Sequence, residues 1–192
     1  MDYDPENLQA SYELAMFSGD YSAAEHALAD PRLKGISIAA SGGGAVISEP
    51  VALHRALVAW LRGQREAAKQ FAGEGIALLR ARHPTLRQQP YDLMSLARAE
   101  ACAGRSDEAV RDARAAAAAA LQQDPYTGVD VKNDLGRIYV MLDHREEALA
   151  VLREILAMPL VLSPNELRFD PIWSRLKNDP RFEEILKSAK PL

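Results

Sequence analysis

A chain of 192 residues, 48% hydrophobic and 26% charged, carries enough apolar material for one core or for about four or five two-helix repeats. Its net charge of −4 and pI near 5.6 count against a general nucleic-acid binder, because phosphate affinity rests on clustered Lys and Arg. The single Cys102 excludes an internal disulfide and a multi-cysteine zinc site.

The chain opens on the acidic Met1-Asp2-Tyr3-Asp4, so no secretory leader is expected. No apolar run approaches the roughly 20 residues of a membrane span. The expected location is the cytoplasm, or the periplasm for a piece of a membrane-anchored parent. Asp4-Pro5 predicts a helix start, and Leu8, Ser11, Tyr12 and Ala15 mark one helix face until Gly19. A partner helix from about Ser22 carries Ala24, Ala27 and Leu28 and stops at Asp30-Pro31. Residues 34–48 contain three consecutive glycines among small and β-branched residues, which predicts an irregular connection. It lacks the spacing of a nucleotide-binding glycine loop, but a long loop of this kind is a candidate lid or contact.

Glu49-Pro50 restarts helix, and Val51 to Leu61 is apolar nearly all round, as in a helix buried within an assembly. Helices then follow from about Glu66 to Arg82, from Pro90 past Ala101, from Asp107 to Leu121, and in two halves between Gly128 and Met158. Arginines gather between Arg80 and Arg114, but Asp92, Glu100, Asp107, Glu108 and Asp112 are interleaved with them, as on a solvated mixed-charge surface. After Pro159, the pairs Ser163-Pro164, Asp170-Pro171 and Asp179-Pro180 predict three short helices. Trp173, Leu176, Phe182, Ile185 and Leu186 would cover the end of the preceding helices.

A turn residue stands five positions before a small alanine at Gly19, Gly63, Gly104 and Asp143, with spacings of 44, 41 and 39 residues. The last copy adds Leu135-Gly136 and Tyr139 upstream of its turn. This pattern resembles the tetratricopeptide repeat, whose period is 34. The resemblance implies an all-α, right-handed α-solenoid of antiparallel helix pairs over residues 1–158, with a glycine-rich loop at 34–48, capped by 159–192. The tail from Phe169 through Asp170-Pro171, Trp173, Leu176 and Asp179-Pro180-Arg181-Phe182 resembles an ending common in bacterial multidomain regulators. There a helical-repeat region follows a kinase, a cyclase or a winged-helix domain. No motif of those effectors is present, so their activities do not transfer.

His26, His54, His83 and His144 lack metal-ligand spacing and read as surface or helix-end residues. No nucleophile elbow occurs, and neither a catalytic site, a metal nor a cofactor is expected. Glu100 could be a buried functional carboxylate or an ion-pair partner of Arg98 or Arg137. The resemblance places first helices on a concave face, where Trp60, Met94, Arg98, Asn133, Arg137 and Met141 are the candidate partner-binding residues. Leu53, Leu57 and Trp60 could equally be core. Such a groove would take a peptide or amphipathic helix bearing an acidic group, because arginine forks bind carboxylates. The implied function is non-catalytic binding of another protein or of an effector domain in the same parent chain. The alternative is a regulatory or sensory arm of a larger signalling protein.

Overall fold

The computed structural model describes residues 5–39, 46–82, 89–126, 128–158 and 163–188. Helices make up nearly all of its regular structure. In chain order they are α1 (Pro5–Ser18), α2 (Tyr21–Ala29), α3 (Val51–Leu61), α4 (Arg65–Arg82), α5 (Pro90–Cys102), α6 (Ser106–Gln123), α7 (Gly128–Met141) and α8 (Arg145–Leu156). The tail adds α9 (Pro164–Phe169), a 3₁₀ segment Trp173–Leu176 and α10 (Pro180–Ser188).

The four predicted turns share one geometry. Gly19, Gly63 and Gly104 take φ of 74°, 74° and 77°, and Asp143 takes 61°. At each, the next residue's amide donates to the carbonyl five residues back: Asp20 to Ala15, Gln64 to Ala59, Arg105 to Glu100 and His144 to Tyr139, all at 2.9 Å. The turn residue's own amide donates three residues back, completing the left-handed helix stop that glycine favours. Aspartate tolerates the same conformation better than most side chains. Five residues on, Ala24, Ala68, Ala109 and Ala148 are completely buried, so the returning helix packs without a side chain to hold it off.

The loop expected at 34–48 is largely a β-hairpin, and that expectation is corrected. Strands β1 (Ile36–Ala39) and β2 (Val46–Glu49) pair antiparallel, Ile36 opposite Glu49 and Ala39 opposite Val46. Gly42 to Gly44 lie outside the described residues. The β-branched residues favour the pleated form, and alternation turns Ile36 and Glu49 inward while Ser37 and Ser48 face water. Helix α1 satisfies the hairpin edge: the Gln9 amide donates to the Ser37 carbonyl at 2.8 Å and accepts from the Ser37 N–H at 3.0 Å.

Consecutive helices pack in pairs, α1 with α2, α3 with α4, α5 with α6 and α7 with α8. The pairs join through α2–α3, α4–α5 and α6–α7, and the first helices also meet in series, α3 with α5 and α5 with α7. Helix α6 presents Ala109, Ala113, Ala116, Ala117 and Ala120 to its neighbours, which combines helix propensity with close approach. One apolar core runs from α3 to α10, and a smaller one joins α1, α2, Leu33 and Ile36 to Val58. Ser163 and Glu166 cap α9 reciprocally. Helix α10 rests on α8, and the 3₁₀ segment lies against α7.

Candidate functional site

A cavity of about 500 Å³ receives side chains from the first helix of every pair. Helix α1 supplies Tyr12, Glu13, Met16 and Phe17; α3 supplies His54 and Leu57; α5 supplies Arg98; α7 supplies Asp130, Asn133 and Arg137. The tail closes one side with Glu166, Leu167, Asp170 and Pro171.

Three of these residues, Tyr12, His54 and Arg98, belong to a buried polar chain centred on Glu49, the last residue of β2. Glu49 is 2% exposed. Its carboxylate takes the Arg98 guanidinium and accepts from the Ser95 hydroxyl, while His54 Nε2 lies 2.9 Å from Oε2. His54 Nδ1 is 3.0 Å from the Tyr12 hydroxyl, which carries the chain of contacts to α1. Burial alone would raise the Glu49 carboxyl, but the Arg98 charge and the bonds from His54 and Ser95 outweigh it and hold it at about 2. Burial pushes the Tyr12 hydroxyl up to about 12 against the opposing Arg98 charge. One group therefore stays ionised and the other protonated around neutral pH.

The opposite wall is built by the tail. Arg137 pairs with Asp134 on its own helix at 3.1 Å and with Asp170 from the tail at 2.5 Å. Burial would lower its pKa, but Asp170 and Asp134 more than reverse this and raise it. The Trp173 indole N–H donates to the Asn133 side-chain oxygen at 2.9 Å. Its ring lies on Gly136, where an added Cβ would stand 2.7 Å from two ring carbons, so the indole seats against bare backbone.

Of the six residues read as partner-binding, Arg98, Asn133 and Arg137 share this cavity. Trp60, Met94 and Met141 do not line it. They are 2%, 3% and 7% exposed and belong to the apolar core, so the assignment of Trp60 and Met94 to an open groove face is corrected, while Met141 borders a different cleft. For Trp60 and Met141 the tail contributes, since Arg175 stands over the Trp60 ring and Arg175 and Leu176 share a cleft with Met141. The two arginine forks already hold the chain's own carboxylates. Leu53 and Leu57 are likewise buried, at 3% and 8%.

Sequence reasoning passed over Glu49, His54 and Tyr12. His54, read as a surface or helix-end histidine, is buried. Its position in a helix without a polar face was the available signal. Glu49 gave no local signal, because its partner Arg98 is 49 residues away. Glu100 is also buried, while Arg98 and Arg137 are engaged by other carboxylates. Burial raises the Cys102 thiol to about 12, against the weaker effect of Arg98, which makes it unreactive. Among the described residues no helix is long and apolar enough to cross a membrane. Comparison with protein-family models, with curated proteins and with solved structures gave no match to this chain.

Proposed function

We propose that this chain is a non-catalytic protein-interaction module, a right-handed tetratricopeptide-like superhelix whose inner pocket holds a segment of a partner. The observation that carries the reading is the convergence of all four first helices on one cavity, which is where such a superhelix receives its ligand. Four carboxylates, Glu13, Asp130, Glu166 and Asp170, line it against the two guanidiniums of Arg98 and Arg137, and Glu49 and Asp134 pair with those arginines from beside it. The favoured ligand is therefore a peptide with an apolar side chain, set beside Tyr12, Met16 and Leu57, and a basic group at the rim. The resemblance of the tail to bacterial multidomain regulators supports a second reading, in which the same pocket serves an effector domain of a longer parent chain.

Reversing Arg98 and Arg137 is a poor test, because both hold buried carboxylates. The rim offers a better one, since Glu13 is exposed and Phe17 is 67% exposed. Peptides selected from a displayed random library against the native chain should be enriched in Lys or Arg next to an apolar residue. They should bind a Glu13→Lys/Phe17→Glu variant at least ten-fold more weakly, with unchanged melting. Selected peptides that bind both proteins equally would sink the pocket as the binding site.

A further inference from the structure

A second cleft, of about 530 Å³, lies where the α3–α4 and α7–α8 turns meet the 3₁₀ segment of the tail. Its polar lining is Arg65, Asp143, Arg145 and Arg175, and Val140, Met141 and Leu176 form its apolar side. Three guanidiniums thus face a single carboxylate, and Arg145 holds that carboxylate at 2.9 Å. Arg65 and Arg175 form no ion pair with the described residues. Both stand over the buried Trp60 ring instead, with guanidinium carbons 5.5 Å and 4.6 Å from its centroid. An indole beneath an arginine fixes its plane, so less side-chain freedom is lost when an anion binds.

Arg65 and Arg145 are the first residues of α4 and α8, helices of 18 and 12 residues. The start of each carries the positive end of its dipole, and His144 caps no amide of α8 with its side chain. The cationic excess here contrasts with the carboxylate excess of the inner pocket and with the chain's net charge of −4.

We infer that this cleft binds a phosphate monoester or diphosphate group, its oxygens shared between Arg65 and Arg175 and the body it is attached to lying against Met141 and Leu176. The argument is independent of the peptide reading, because no residue lines both cavities. A phosphorylated metabolite and a phosphoserine side chain offer the same oxygens, and the experiment separates them.

The test is isothermal titration of the whole chain with pyrophosphate, with phenyl phosphate and with a phosphoserine tripeptide, each in chloride buffer and again with added sulfate. The expected result is binding of at least one probe that is weakened ten-fold or more in Arg65→Gln/Arg175→Gln. Both substituted side chains are exposed, so the melting temperature should hold. Asp143→Asn keeps a residue that tolerates the positive φ and releases Arg145, so it should tighten the same probe several-fold. Tighter binding of the tripeptide than of phenyl phosphate and pyrophosphate would assign the site to a phosphorylated protein; the reverse order would assign it to a small phosphorylated molecule. No binding at millimolar probe, equal binding by the double glutamine variant, or full displacement by equimolar sulfate would overturn the inference.

Discussion

The two ends of the molecule are joined to its centre by different physics. At the amino end, α1, α2 and the hairpin form a small apolar core that reaches only Val58 of α3, and much of the joint to the next unit is polar: Tyr12 to His54, Glu25 to Arg62, and Glu49 to Arg98. At the carboxyl end, Trp173, Phe182, Ile185 and Leu186 enter the large core directly, and the polar contacts of Asp170 and Asn133 align them. Hydrogen bonds and ion pairs fix geometry but add modest net stability, because water competes for them. Apolar burial adds more and specifies less. The amino end should therefore be the oriented but separable part, and the carboxyl end the clamp.

The clamp breaks first under Trp173→Ala. Removing a wholly buried indole should cost about 3–5 kcal/mol, read in urea melts, and should loosen α7, α8 and α10 together. A loss under 1 kcal/mol would show that the tail is merely laid on the surface.

Glu49→Gln attacks the polar joint. It leaves Arg98 without its counter-charge in a buried site, a defect that costs about 3–5 kcal/mol in comparable pairs. Hydrogen exchange should rise in α1, α2 and the hairpin while the amides of α5 to α8 stay protected. The pH dependence has a definite sign. The folded-state carboxyl sits at about 2, below its ordinary 4.5. Its stabilisation is complete above 4.5 and is lost as the pH falls from there towards 2. The stability gap between native and variant should narrow over that window.

Gly136→Ala sharpens the contrast from the other side. The new methyl would press on Trp173 at 2.7 Å and Val151 at 3.1 Å, so about 1–3 kcal/mol should be lost by overpacking although alanine is the better helix former. The smallest effect belongs to Asp20→Ala. It removes the side-chain bond to the Ala23 amide at the start of α2, and about 0.5–2 kcal/mol should go from local protection of that helix alone.

Much of this fold was legible because its helices are bounded by residues with fixed conformational habits. Pro5, Pro90, Pro164 and Pro180 each stand at a helix start, and Gly19, Gly63 and Gly104 at stops. Those are local effects, readable within a few residues. The hairpin was not legible, since two four-residue strands separated by small residues and glycines give too short an alternation to outweigh a loop. The site was less legible still. Arg98, Asn133 and Arg137 were found by repeat position, but whether each faces a groove or a buried carboxylate depends on Glu49 and Asp170, far away in the chain. Trp60 and Met141 illustrate the same limit, because the tail segment beside them cannot be placed by periodicity.

The seating of the tail has a consequence for synthesis. Arg175 completes the environment of Trp60, yet it leaves the ribosome about 115 residues later. At about 5–20 residues per second, that is a wait of roughly 6–23 s. The bare seat of Trp173 on α7 is also finished late, by a residue 37 positions beyond Gly136. A nascent chain halted between Leu156 and Trp173 would hold its four helix pairs with unfinished apolar seams, and those seams are what a chaperone would recognise.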